Sequence, residues 1–177
     1  LRYIEKWDDA SFRQFVEQYS RDVWNYAYFM TKRRETADDI AQEVFIKAYF
    51  HISQFRGQST MKTWLLSMAR NMALNYFRSA FIRKVTLVDL FSSNETSSSA
   101  EQEVLDQWAS KRIWSIVLGL PRKHREALLL DVHYGLSCKE IAGMLGIAEG
   151  TVKSRLSRAR SKVNECLKEE ELDYETI

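Results

Sequence analysis

Residues 136–163, LSCKEIAGMLGIAEGTVKSRLSRARSKV, decide how the second half of the chain folds. Ser137 and Glu140 stand at the S-x-x-E spacing of a capping box, in which a hydroxyl and a carboxylate satisfy the first orphan amides of a helix. Ile141, Ala142 and Leu145 follow at helical spacing, and Gly146 can supply the left-handed residue that ends such a helix. A second helix resumes near Glu149. Val152, Leu156, Ala159 and Val163 recur at helical intervals, which makes one buried stripe. Lys153, Ser154, Ser157, Arg158 and Ser161 occupy the opposite side, with Arg155, Arg160 and Lys162 on the flanks. A charged helix face is ordinarily just solvated. This one carries a single sign, opposed by Glu149 alone, and it follows a capped helix and a glycine turn. That combination is what a helix-turn-helix needs to lay a recognition helix in the major groove of DNA.

Outward from this stretch, the composition points to helices with few turns. There are 177 residues, enough for one domain or two small ones, with only one proline and six glycines. Apolar residues at 45% and charged residues at 28% are ordinary for a globular protein. No apolar run approaches the roughly 20 residues that span a bilayer, and no charged-then-apolar leader opens the sequence. A cytoplasmic chain with no membrane insertion of its own is expected. Cys138 and Cys166 fall in separate helices and form no CxxC pair, so neither zinc nor a disulfide framework is expected. His51, His124 and His133 are scattered and read as surface or half-buried side chains. No clustered carboxylates and no nucleophile beside a base are visible. The reading is of a binding protein without cofactor or metal, not of an enzyme.

Charge is unevenly placed. The net values are +4 over residues 1–83, −4 over 84–106, +7 over 107–163 and −5 over 164–177. Two basic bodies are thus separated by an acidic connector and followed by an acidic tail, an asymmetry that speaks of partners.

In the first body a helix is expected to begin after Asp8 or Asp9. Phe12, Phe15, Val16, Tyr19, Val23, Trp24, Ala27 and Met30 form its apolar face, with Trp24 and Tyr28 at the edge. Thr36 and Asp39 read as the cap of a second helix whose buried stripe is Ile40, Val44 or Phe45, Ala48, Tyr49 and Ile52. Its other side carries Asp38, Asp39, Gln42, Glu43 and Ile46, polar residues around one apolar anchor, the pattern of a protein-binding face. SQFRGQST then reads as a loop. A long helix follows, with Trp64, Leu65, Met68, Ala69, Met72, Tyr76 and Phe77 inward and Ser67, Arg70, Asn71, Leu74, Asn75 and Arg78 outward. Arginine with asparagine at helical spacing suits phosphates and base edges. SSNETSSS is too polar to bury a core and marks the domain boundary. Residues 84–105, fully extended, would reach about 70 Å, similar to two turns of duplex. Pro121 fits the first position of a helix that ends at Gly135.

Taken together, ADDIAQEVFIKAY, FRGQSTMKTWLLSMARNMALNYFR, the polar linker, LPRKHREALLLDVHYGLSCKEIAGMLGI and EGTVKSRLSRARSKV occur in an order that resembles the extracytoplasmic-function class of bacterial RNA polymerase sigma factors. The resemblance runs from about Ala10 to Cys166. It implies an all-α protein with a region 2 domain (1–83), a flexible linker (84–105) and a region 4 domain with the acidic tail (106–177). It further implies that Asp39, Gln42, Glu43 and Ile46 dock on the clamp helices of the largest subunit of core RNA polymerase. By the same resemblance, Phe55, Arg56, Gln58, Ser59, Arg70, Asn71, Asn75 and Arg78 meet the −10 element, where a base is unstacked and held outside the duplex. Trp64 is expected in the core rather than in stacking. Thr151, Lys153, Ser154, Arg155, Ser157, Arg158 and Arg160 would meet the −35 element. Of these, Lys153, Ser154, Ser157 and Arg158 face the bases, while Arg155 and Arg160 bind phosphate or neighbouring acidic groups. An anti-sigma factor is a further partner the resemblance implies. Two positions depart from the family pattern: Asn75 stands where many relatives have aspartate, and Ala148 where the recognition helix usually has a side-chain cap. A stand-alone helix-turn-helix regulator would explain 107–163 but leave the motifs of the first half idle.

Overall fold

The structure, a computed structural model, describes residues 7–86 and 111–175. The described residues are all-helical, in two compact units divided between Thr96 and Ser97. The first unit holds α1 (Asp9–Thr31), α2 (Arg34–His51), a 3-10 turn (Ile52–Gln54) and α3 (Met61–Thr86). The second holds α4 (Lys111–Gly119), α5 (Arg122–Leu128), a π-turn (Leu129–His133), α6 (Cys138–Leu145) and α7 (Glu149–Glu175). Most of the expected linker (residues 87–105) lies outside the described residues. The third helix runs on to Thr86, into the start of the expected linker. The acidic tail is helical as far as Glu175, and the end of it expected to be mobile lies outside the described residues.

In the first unit α1 is the central helix. Asp8 accepts the Ser11 N–H at 2.7 Å, and this bond with the Ser11 hydroxyl holds its carboxyl below the usual carboxylate range. Asn25 through Thr31 are buried without interruption, so the last two turns are covered on every side. Tyr28, expected at the core edge, is 3% exposed, because α2 and α3 both pack on α1. Tyr26, Phe29, Leu65 and Leu66 are fully buried, each contributing about 1.5–3 kcal/mol of burial. Leu65→Ala would cost about 2–5 kcal/mol and threaten the whole unit.

Two cap and stripe readings are corrected. Lys32 takes a left-handed conformation (φ 58°) and gives its N–H to the Tyr28 carbonyl at 2.7 Å. With only Lys32 and Arg33 between the helices, α2 starts at Arg34, and Thr36 is buried inside its first turn, where it cannot cap. Tyr49, expected in the buried stripe, is 42% exposed; Val44 and Phe45 are both buried. Its ring meets Phe12 edge-on at 4.9 Å, at the rim.

In the second unit Val152, Leu156, Ala159 and Val163 of α7 are all buried, against α5, α6 and α4. The capping box of α6 forms in both directions. Ser137 Oγ accepts the Glu140 N–H, and Glu140 Oε2 accepts the Ser137 N–H at 2.8 Å. Gly146 (φ 67°) ends α6, and the Ile147 N–H reaches back to the Ala142 carbonyl at 3.1 Å, as in a Schellman turn. Pro121 sits one place earlier than read, at the N-cap of α5, where its carbonyl accepts the His124 and Arg125 N–H groups. Arg125 is buried. Its Nη1 donates to the Leu118 and Leu120 carbonyls at 2.8 and 3.0 Å, satisfying the end of α4. Burial, reinforced by Arg122, pulls its guanidinium down to about 10, so it stays charged at neutral pH.

Candidate polymerase and nucleic-acid interfaces

Three exposed surfaces emerge from this framework. The first is the outer side of α2. Asp39, Gln42, Glu43 and Ile46 are all exposed on it, Ile46 at 57%. Helical spacing brings these four to one side, as the sequence pattern implied. Trp24 Nε1 donates to Asp38 Oδ1 at 2.6 Å, and the Trp24 ring stacks parallel to Tyr28 with centroids 5.3 Å apart. This pins the start of the face to α1. The Glu43–Lys47 pair at 2.9 Å is exposed and adds about 0.3–0.5 kcal/mol to the helix. Sequence reading missed how apolar the far end is. Phe50 is 70% exposed beside Tyr49, so Ile46, Tyr49 and Phe50 form an exposed group. The i, i+3, i+4 spacing of those three was the available signal.

The second surface is the loop before α3 with the outer side of that helix. Buried Ile52 and the Phe55 N–H bond to its carbonyl at 3.0 Å fix the loop's entry. The Phe55 ring is half-buried and lies 5.3 Å from that of Trp64, which is itself half-buried. Thr60 Oγ1 accepts the Thr63 N–H at 3.1 Å and fixes the exit, a helix cap that the sequence reading passed over. Between these anchors Arg56, Gln58 and Ser59 are exposed, and Gly57 turns the chain at φ 67°. On α3, Asn71, Asn75 and Arg78 are exposed and Arg70 is half-buried. Lys62–Asp22 at 2.7 Å ties α3 to α1, and Arg33 Nη1 donates to Tyr76 Oη at 3.4 Å.

The third surface is α7. Thr151, Lys153, Ser154, Ser157 and Arg158 are exposed opposite the buried stripe, and Arg155 is half-buried. Ser154 Oγ donates to the Thr151 carbonyl at 2.9 Å, so toward a base this hydroxyl acts as an acceptor. Arg160 Nη2 donates to Asp131 Oδ2 at 2.7 Å, an acidic neighbour rather than phosphate. The structure thus separates the expected −35 group into an outward row and one braced flank. Lys162 pairs with Glu165 at 3.2 Å, and the hydrogen bond raises its ammonium above the usual lysine value. Among the described residues no group of three or more His, Cys, Asp or Glu is placed to hold a metal, and no helix is long and apolar enough to cross a membrane.

Comparison with known proteins agrees with this division. The Sigma-70 region 2 family matches residues 15–80 and the Sigma-70 region 4 family residues 110–163. YlaC, an RNA polymerase sigma factor of Bacillus subtilis, is 32% identical over 155 residues, covering 85% of this chain and 88% of its own. SigM, an ECF RNA polymerase sigma factor of the same organism, is 35% identical over 159 residues, covering 85% and 91%. The chain spans 57% of the length of BldN, an ECF sigma factor of Streptomyces coelicolor, at 31% identity over 84% of this chain. Among solved structures, the sigma factor RpoE in complex with the anti-sigma factor NepR from Bartonella quintana has a TM-score of 0.66 at 23% identity, covering 89% of this chain and 97% of that one. CnrH in complex with the cytosolic domain of CnrY has a TM-score of 0.64 at 22% identity, covering 91% and 90%. Two regions in the family's order, on a matching all-helical fold, leave one conclusion: the chain belongs to the extracytoplasmic-function RNA polymerase sigma factors, and it is an alternative sigma factor, an initiation protein and not an enzyme.

Proposed function

We propose that this sigma factor uses its three exposed surfaces for three separate contacts. The outer side of α2, with Asp39, Gln42, Glu43 and Ile46, docks on the clamp helices of the largest subunit of core polymerase. Polar groups beside an exposed apolar anchor are an arrangement that gives a specific protein interface its affinity. The loop Phe55–Thr60 and the row Asn71, Asn75 and Arg78 hold the −10 element, the loop side chains reading the edge of a freed base and the arginines holding its strand. The row Lys153, Ser154, Ser157 and Arg158 enters the major groove at −35, and Arg155 contacts phosphate. Residues 1–83 and 106–177 act as the two binding domains, joined through residues 84–105. The chain works in the cytoplasm, with the polymerase, and an anti-sigma factor restrains it. For that last partner the support is that proteins of the same fold were captured with an anti-sigma factor or with the cytosolic domain of CnrY.

The observation that carries this reading is the one-sided build of α7, a stripe of four buried apolar residues opposite an exposed basic row. In vitro transcription with core polymerase, followed by start-site mapping, tests it. Start sites that require the chain, each preceded by common −10 and −35 sequences, are expected. Identical starts with and without the chain would overturn it.

A further inference from the structure

Phe81 lies one turn beyond Arg78, the last residue of the row assigned to the −10 element, and it is 69% exposed. Ser67, Asn71, Leu74, Arg78 and Phe81 follow one another along α3 at alternating steps of four and three, so Phe81 stands on the outward side of that helix. Lone apolar side chains on a surface are common and need no partner. This one is singled out by its surroundings, which carry one sign. Between Glu43 and Asp89 the sequence has no acidic residue, and α3 alone holds Lys62, Arg70, Arg78, Arg83 and Lys84. A protein face apolar enough to cover the ring would have to strip water from cations without pairing them. A nucleic-acid strand offers flat base faces and phosphates together.

We propose that Phe81 is a stacking platform for an unpaired base of the opened −10 strand, a second base site apart from the one given to the loop Phe55–Thr60. Only an unpaired base shows its face; in a closed duplex the grooves present edges alone. The ring therefore binds opened DNA and not closed DNA, and that difference in affinity shifts the equilibrium toward opening. Ten residues of helix separate Phe81 from Asn71, a rise of about 15 Å, which spans about four nucleotides of a stacked strand at roughly 3.4 Å each. Stacking tolerates any base. Phe81 thus adds hold on the open strand, while sequence choice stays with the polar groups of the loop and of Asn71 and Asn75.

This rests on the reading of α3 as the helix that holds the opened strand. It is tested on the full chain at low salt, with a labelled single-stranded oligodeoxynucleotide of mixed sequence and its paired duplex as probes, by fluorescence anisotropy. Phe81 is exposed, so its variants should melt with the parent. Phe81→Ala should weaken binding of the single strand about tenfold and leave binding of the duplex unchanged. Phe81→Trp should restore it, and Phe81→Leu, which keeps apolar bulk without a flat face, should not. The double variant Asn71→Ala with Arg78→Ala serves as the comparison. If it weakens single-strand binding while Phe81→Ala does not, the stacking site is overturned and the −10 reading stands. If neither variant changes single-strand binding, both fall. Equal losses on single strand and duplex, or full binding by Phe81→Leu, would also overturn stacking.

Discussion

Arg160 on the recognition helix donates to Asp131 in the π-turn at 2.7 Å, the guanidinium half in solvent and the carboxylate largely covered. This bond ties α7 to the turn between α5 and α6, and it occupies a cation that the sequence alone offers to DNA. Asp131→Asn should release it. As a partly exposed ion pair its loss should cost no more than about 1 kcal/mol of stability. Affinity for duplex should rise on all sequences alike, and the slope of log K against log salt should steepen by about 0.9 for the added phosphate contact. An unchanged slope in a salt titration would mean that Arg160 faces away from the duplex.

The capping box of α6 gives a pH dependence. Hydrogen bonds from the Ser137 hydroxyl and N–H hold the Glu140 carboxyl below its ordinary value of 4.5. The folded value is the lower one, so the contribution is complete above the unfolded value and is lost as pH falls through the folded value. Thermal melts between pH 3 and pH 6 should show Glu140→Gln less stable than the parent at the upper end, the two converging at the lower end. Ser137→Ala should cost about 1 kcal/mol.

Ala148 stands at the start of the recognition helix, where its carbonyl accepts the Thr151 N–H at 2.9 Å and the Val152 N–H at 3.2 Å. Its side chain is exposed and leaves room for a hydroxyl. Ala148→Ser should therefore add a cap worth about 1 kcal/mol, raising the melting temperature of the second unit by about 4–8 °C. An unchanged melting temperature would show that the first turn is already satisfied.

The helix-turn-helix was legible because its signals are local: a box four residues wide, a glycine, a stripe on one helix. Arg125 was not. It stands among Arg122, Lys123 and Arg158 in the count of basic residues, yet its Nη1 is spent on the Leu118 and Leu120 carbonyls at the end of α4. Only its place three and four residues before buried Leu128 and Leu129 hinted that it points inward. The charge of the second body is thus partly structural. Thr36 misled for the opposite reason. A threonine with an acidic residue three places on looks like a cap, but the left-handed Lys32 starts the helix earlier, a conformation that lysine does not advertise. Tyr28 and Tyr49 exchanged places because one helix period cannot tell which of two neighbouring faces a third helix will cover. The candidate contact residues were largely exposed as expected, since a polar face on an amphipathic helix follows once its buried stripe is known.

On α2, reversing Asp39 and Glu43 to lysine should weaken binding to core polymerase at least tenfold while costing no more than about 1 kcal/mol of stability, since both are exposed and only the Glu43–Lys47 pair is lost. Ile46→Ala tests the apolar anchor separately, with a loss of about 1–2 kcal/mol in affinity expected for a central interface residue. Binding measured by competition for core enzyme checks both. Normal affinity in the double reversal would place the polymerase on another surface.

Arg158 separates reading from mere attachment. It is exposed on the outward row of α7, and a bidentate arginine on a guanine edge contributes about 1–3 kcal/mol of discrimination. Arg158→Ala should then lower transcription from start sites with the preferred −35 sequence and narrow their advantage over variants at one base pair. A uniform loss on all sequences, with the salt slope reduced by about one contact, would mark it as a phosphate ligand.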